Sequence, residues 1–437
     1  MKLIISSSCY QAQICDLLPC NDNCKSQLIH GMLGAYGLLQ HFDKVITAPY
    51  ATKHTLNKFH SMQYLSFALD PCFNRSTEDC EDWAHVGQVA RRYREAHGQQ
   101  PAGSSGTTQK PSSIANFVSR TGYQIADEGS DNDERAAMAS AALAKYGLHD
   151  DCPVMDYLPM YIHTVAGATL ALAKELSRHR GSALAVNWDG GRHHALKARA
   201  SGFCYVNDIA LLIQTLRRQG FLRVSYVDFD LHHGDGVENA FRYSKNVQTC
   251  SLHLFEPGFF PGTGACKNCT DNSVLNVPLL HGVDDSTLDH VVDHIVTPAV
   301  QRHDPEVLII QCGGDGLSGD KYGEWQLSIH GLTRNILKLV QAHKFKKIAL
   351  LGGGGYNGRL QSRFYAYLTS MLLAQCKGIP TEIGDDEDEL IRDHELIEMY
   401  EQEDYKFWYY EYEGLNRKNL INDNTEEYMQ KLLASFS

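Results

Sequence analysis

Asp230-Leu231-His232 sets a carboxylate and an imidazole two residues apart, on one side of the chain wherever it is still extended. Asp315, after a separate apolar run, is the candidate third ligand. Two carboxylate oxygens and one imidazole nitrogen with an open position suit a catalytic zinc ion. Manganese or iron also accepts such donors, because ligand type alone does not select the metal. Close by in the sequence, His193-His194 follows Gly190-Gly191. Beside a metal this pair becomes a candidate for proton transfer. Asp228 and Asp235 flank the ligand segment, where each can hold an imidazole N–H, fixing its tautomer and raising its basicity. Tyr356, after Gly352–Gly355, is the electrophile candidate, since a phenol can donate a hydrogen bond to an oxyanion. That glycine run lacks the Lys-Ser/Thr of a phosphate-binding loop and is read as permitting close backbone approach. Phe203 and Phe260, each in a Gly-containing aromatic segment, suit two walls of a slot for an unbranched alkyl chain.

These residues share a placement. Apolar, β-branched runs are predicted as strands at Lys2–Ser6, Ala183–Trp188, Arg223–Asp230, Val247–Leu254, Val307–Cys312 and Lys347–Leu351. Helices are predicted near residues 27–41, 160–179, 206–219, 286–301, 330–343 and 359–375. Buried strands alternating with helices indicate an α/β domain with a mainly parallel sheet covered on both faces. Four of the strands run into Gly-rich turns bearing His, Asp or Tyr. In open α/β sheets the site lies outside the carboxyl ends of the strands, and that is where these turns fall.

The chain has 437 residues, 40 Lys+Arg against 52 Asp+Glu, and a formal charge of −12. An acidic chain with no Lys/Arg block argues against direct nucleic-acid binding and suits a basic protein substrate. No apolar run reaches the ~18 residues of a membrane span, and the first residues do not make a secretory signal. Thirteen cysteines without a disulfide-scaffold spacing read as reduced thiols. The expected organisation is one domain over residues 1–437 with an insertion at about 71–140. Acidic runs at Ser76–Asp82 and Asp127–Glu134 bracket the Gly/Ser/Pro-rich segment Pro101–Ser113, which reads as a partly disordered surface loop. The aromatic run Phe407–Tyr412 is expected to pack on its own domain.

The motifs resemble the zinc-dependent histone deacetylase family, class I in particular. The resemblance is carried by FHS (59–61), DCPV (151–154), HHA (193–195), SGFCYVNDIA (201–210), YVDFDLHHGDGVENAF (226–241), PGFFPGTG (257–264), QCGGDGLSGD (311–320), LGGGGYN (351–357) and NDNTEEY (422–428). It implies a single domain on an eight-stranded parallel sheet related to arginase. It further implies a hydrolase that removes acetyl groups from N6-acetyl-lysine in histone tails or other proteins. Zinc, or iron in the cell, would be held by Asp230, His232 and Asp315. His193 and His194 would be the catalytic pair supported by Asp228 and Asp235, with His194 the general base, and Tyr356 would polarise the acetyl carbonyl. Phe203, Phe260 and the Gly202 carbonyl would line the acetyl-lysine tunnel, with Asp151 holding substrate backbone at the rim. A structural K+ would lie near Asp228, Asp230, His232, Ser251 and Leu252. A nuclear location with some cytoplasmic presence, a repressor complex and inhibition by hydroxamates are also implied.

The chain departs from the family's pattern in places. Lys25 stands where an internal acetate channel usually has Arg, and Arg192 replaces an apolar residue, so Arg192 is expected to supply the channel cation. Tyr322 replaces a Leu or Met at the pocket rim, and the loop Ala265–Ser273 is short and lacks a Lys-Gly motif. Cys266/Cys269 form a C-x-x-C, and Cys152 and Cys204 lie beside substrate-facing positions, which raises redox activity as a question. Three other readings stand beside protein deacetylation: a longer-chain deacylase, an acetylpolyamine hydrolase, and a weakly active scaffold recruiting partners.

Overall fold

The computed structural model describes residues 1–21, 24–47, 49–69, 140–155, 157–266, 273–412 and 419–436. Most of the expected insertion, residues 71–139, and Cys269 therefore lie outside the described residues. Eight strands form one sheet in the order β2-β1-β3-β8-β7-β4-β5-β6, and every pairing is parallel. They are β1 (Lys2–Ser6), β2 (Lys44–Ile46), β3 (Ala183–Asn187), β4 (Val224–Asp228), β5 (Val247–Leu254), β6 (Val274–Leu279), β7 (Val307–Gln311) and β8 (Lys347–Leu351). The sheet is wholly parallel where the residue pattern indicated a mainly parallel one.

β2 and β6 are the strands that residue patterning misses. β2 is only Lys44-Val45-Ile46, none of them buried, and two apolar residues are too few to read as a strand. β6 is fully buried but contains Pro278, which argues against a central strand; it lies at the sheet edge, where a missing N–H is tolerated.

The central strands are continuously apolar because both faces are covered. In β7, Leu308 and Ile310 join one core while Val307 and Ile309 join the other, and β8 divides Ile348 and Leu350 from Ala349 and Leu351 in the same way. Helices Lys25–Ala35, Ile329–Ala342 and Gly358–Lys377 cover the first face, and Leu158–Arg178 and Asp208–Arg218 the second. Each such Leu, Ile or Val contributes about 1.5–3 kcal/mol on burial. The helix starts are capped locally: the side chains of Asn207, Ser328 and Asn357 accept from the backbone N–H of Ala210, Gly331 and Leu360.

Because all the strands run in one direction, their carboxyl ends lie along one edge, and the Gly-rich turns collect there. The C-terminal segment closes on the first face as its aromatic run suggested: Phe407, Trp408 and Tyr410 are buried. Among the described residues no helix is long and apolar enough to cross a membrane.

Candidate metal centre and active site

β4 ends at Asp228, and the chain turns through Phe229 so that Asp230 and His232 face Asp315, which follows β7. Asp230, His232 and Asp315 each present a ligand atom within 4.8 Å of the others, and all three are buried. His232 Nδ1 lies 3.2 Å from Asp230 Oδ1 and 3.0 Å from Asp315 Oδ2. Burial and the neighbouring Asp230 carboxylate push the Asp315 carboxyl up, while burial alone would lower the His232 imidazole and the two carboxylates raise it to about 10. A buried carboxylate pair around one imidazole is short of positive charge, and this donor set fits a divalent cation.

The ligand turn is built by hydrogen bonds from outside it. Gln311 Nε2 and the Gly354 N–H donate to Asp230 Oδ2 at 2.7 and 2.8 Å, and the Leu231 N–H donates to Asp315 Oδ1 at 2.9 Å. The absence of a Cβ at Gly354 is what lets β8's turn approach: a Cβ there would stand 2.3 Å from Asp315 Oδ2.

The paired histidines stand beside this cluster, their ring centroids 3.9 Å apart. His193 Nδ1 bonds Asp228 Oδ2 at 2.8 Å and His194 Nδ1 bonds Asp235 Oδ1 at 2.7 Å, the two partnerships expected from the sequence. Asp228 is held in turn by the Tyr226 hydroxyl at 2.6 Å. Burial lowers both imidazoles, but Asp228 and Asp230 raise His193 to about 9, whereas burial and the charge of His193 take His194 down to about 4. The two imidazoles are thus pushed in opposite directions, His193 toward its charged form and His194 toward its neutral form.

A cleft of about 400 Å³ leads in from the surface and is lined by Asp151, Phe203, Tyr322 and Tyr356 among others. The edges of Phe203 and Tyr322 meet the Tyr356 ring at centroid distances of 5.6 and 5.1 Å. Phe260 packs edge-on against His194 at 4.9 Å, and Tyr322 edge-on against His232 at 4.9 Å. Asp151 accepts from the Gly202 N–H at 2.8 Å, fixing the turn that carries Phe203. Gly202 has φ +53° and lies over His194, whose ring a Cβ would meet at 2.4 Å. Ser251 stands opposite Asp228 in the β4–β5 register, with Leu252 next to it.

Behind the histidines is a small enclosed space, about 20 Å³, lined by Lys25, Arg192, His193, His194 and Tyr356 among others. Lys25 Nζ donates to the carbonyls of Gly353 and Gly355 at 3.2 and 2.8 Å, and burial, then Arg192, lowers its pKa. Arg192 donates to the Asp189 carbonyl at 3.0 Å, and its buried Nε has no hydrogen-bond partner. Cys152 and Cys204 are buried, and burial pushes the Cys204 thiol up to about 12, which makes it a poor nucleophile at neutral pH. Cys266 is exposed.

Sequence reasoning missed four positioning residues. Gln311 supports Asp230; Asp320 accepts from the Tyr356 and Asn357 N–H groups; Asp208 accepts from the Gly191 and Arg192 N–H groups; Phe259 stacks on His232 at 5.0 Å. Phe259 adjoins Phe260, and Gln311 and Asp320 lie within a quoted motif, so their proximity was visible but their role was not.

A model of the histone deacetylase domain matches residues 19–372. The chain is 43% identical to histone deacetylase HOS1 of Saccharomyces cerevisiae, across 100% of this chain and 99% of that protein. It is 37% identical to histone deacetylase RPD3 of the same yeast, across 67% of this chain and 63% of that protein. To histone deacetylase 8 of Xenopus laevis it is 38% identical, across 61% of this chain and 79% of that protein. With an all-parallel eight-stranded sheet and a buried Asp-His-Asp cluster at its carboxyl edge, the chain belongs to the histone deacetylase family.

Proposed function

We propose that this chain hydrolyses the acetyl amide of N6-acetyl-lysine with a divalent metal, zinc, held by Asp230, His232 and Asp315. The observation that carries the reading is the juxtaposition of that ligand cluster with two imidazoles, each anchored on its own carboxylate. A bound zinc ion supplies a Lewis acid that polarises the amide carbonyl and acidifies water. Phe203, Phe260 and Tyr322 guide the lysine methylenes inward, Asp151 and the Gly202 carbonyl orient the entering chain, and Tyr356 donates a hydrogen bond to the developing oxyanion. His194 takes the proton of the attacking water, its Nδ1–H held by Asp235. His193, held on Asp228, keeps the positive charge that favours the oxyanion and the delivery of a proton to the departing lysine amine.

Lys25 and Arg192 make the enclosed space behind the histidines cationic and so suited to released acetate. Potassium is assigned to Asp228, Asp230, His232, Ser251 and Leu252, of which Asp228 and Ser251 are partners in the β4–β5 register. Acetylated histone tails or other acetyl-lysine proteins are the proposed substrates, the nucleus the proposed location, and hydroxamates, which chelate divalent metals, the proposed inhibitors. Turnover of an acetyl-lysine peptide, compared with a longer acyl-lysine peptide and an acetylpolyamine, tests the reading. Preference for the acetyl peptide supports it, and preference for either alternative replaces it.

A further inference from the structure

The strands' amino-terminal edge, opposite the site, carries a charge that the chain as a whole hides. The end of helix Leu158–Arg178 and the turn into β3 hold Arg178 and Arg180, and the turn into β8 holds Lys344 and Lys346. The turn into β7 holds Arg302 with Asp304 and Glu306. Arg217, Arg218 and Arg223 precede β4, and Arg242 and Lys245 precede β5. In a chain of net charge −12 these five turns, with the helix ends that lead into them, hold ten basic residues; the carboxylates among and beside them are Asp304, Glu306, Glu175 and Glu238. The turns are far apart in sequence, but β3, β8, β7, β4 and β5 are consecutive neighbours in the sheet. At about 4.8 Å per strand they form one surface roughly 20 Å long.

All four carboxylates are already engaged: Glu175 pairs with Lys44 and Arg178, and Glu238 with His233 and Arg242. Asp304 pairs with Arg223 at 3.0 Å and Lys346 at 2.8 Å, and Glu306 accepts the N–H groups of Leu222 and Arg223 at 2.6 and 3.0 Å. Arg180, Arg217, Arg218, Lys245, Arg302 and Lys344 have no ion pair with a described residue. Between these cations stand three of the largest exposed apolar side chains among the described residues: Leu222 at 62%, Tyr243 at 93% and Phe345 at 82% exposure. Arg217, Arg218 and Ser244 also line a hollow of about 440 Å³ beside the turn that carries Tyr243.

We propose that this edge docks an acidic polypeptide segment carrying apolar side chains. Opposite charge selects and steers the segment. Leu222, Tyr243 and Phe345 supply apolar contacts for which a phosphodiester backbone has no use, and the fixed carboxylates of Asp304 and Glu306 disfavour dense phosphate. The edge is removed from the metal cluster by the length of the strands, so docking would tether the enzyme while leaving the substrate mouth open.

The test uses the full chain and fluorescence anisotropy with labelled probes. They are a Glu/Asp peptide bearing Leu and Phe at intervals, the same peptide with Ser at those positions, and a duplex DNA. The apolar-acidic peptide is expected to bind best. Its affinity should fall about tenfold or more in R218E/K245E/K344E and again in L222S/F345S, with acetyl-peptide turnover and thermal midpoint unchanged. Duplex DNA binding more tightly than the peptide, and sensitive only to charge reversal, would make the face a nucleic-acid surface instead. Peptide affinity unmoved by either variant, or no binding, would overturn the proposal. So would self-association that K344E abolishes, because the occupant would then be a second copy of this chain.

Discussion

The buried carboxylate of Asp320 accepts the backbone N–H of Tyr356 at 2.7 Å and that of Asn357 at 3.2 Å, which fixes the turn presenting the phenol. Asp320 also accepts the Tyr322 N–H at 3.4 Å, so its contacts are to backbone and it acts by position. Asp320→Ala is expected to lower kcat by about tenfold or more with KM little changed, since a small displacement of a transition-state donor costs rate before binding. A steady-state comparison checks this, and an effect on KM alone would contradict it.

Lys25 and Arg192 share the enclosed space, and the Arg192 Nε has no partner there. Arg192→Ala is expected to slow turnover and weaken inhibition by added acetate severalfold, because a guanidinium can hold a carboxylate in bidentate fashion. Unchanged turnover with unchanged acetate inhibition would assign the channel to Lys25 alone.

The C-terminal segment is pinned by Arg363, fully buried on helix Gly358–Lys377, whose Nη1 lies 2.6 Å from Glu403 Oε2. Arg363 Nη2 also donates to the Lys406 carbonyl at 2.7 Å. Arg363→Met leaves the Glu403 carboxylate buried without that guanidinium, and a loss of about 3–5 kcal/mol is expected in denaturant unfolding. Arg359 also pairs with Glu403, so the lower end of that range applies if it takes over.

His330 stacks on Trp408 at 4.3 Å, meets Tyr367 edge-on, and lies 3.5 Å from both Glu411 and Asp385. Burial alone would lower its pKa, but Glu411 and then Asp385 raise it above the usual 6.5. A raised folded-state value means the stabilisation is fully present below the unfolded pKa and is lost as pH rises through the folded one. The stability difference between wild type and His330→Gln should therefore be largest near pH 6 and shrink on the alkaline side of neutrality, by about 0.5–1 kcal/mol. A difference that grows with pH would contradict this.

The legible part of the site lies where function is continuous along the chain. Asp228, Asp230, His232 and Asp235 occupy one strand-end segment, Tyr356 directly follows a glycine run, and His193-His194 stand one residue after Gly190-Gly191, so residue type and order make them candidates. Asp320, Gln311 and Asp208 lie within the recognisable motifs, but they act through hydrogen bonds to distant backbone or carboxylate groups, and their local sequence does not show those partners. The basic edge escaped for the same reason: strand order 3-8-7-4-5 assembles it from turns that are never adjacent in sequence. β2 and β6 were hidden by shortness and by Pro278.

The central claim is that a metal at Asp230, His232 and Asp315 works with Tyr356 to hydrolyse acetyl-lysine. The most direct measurement is acetate release from an acetyl-lysine peptide by zinc-loaded protein, beside Tyr356→Phe and Asp230→Ala variants checked for folding by thermal unfolding. Turnover in the wild type that falls by about a hundredfold or more in both folded variants is the expected result. Wild-type rates in a folded Tyr356→Phe or Asp230→Ala protein would contradict the claim.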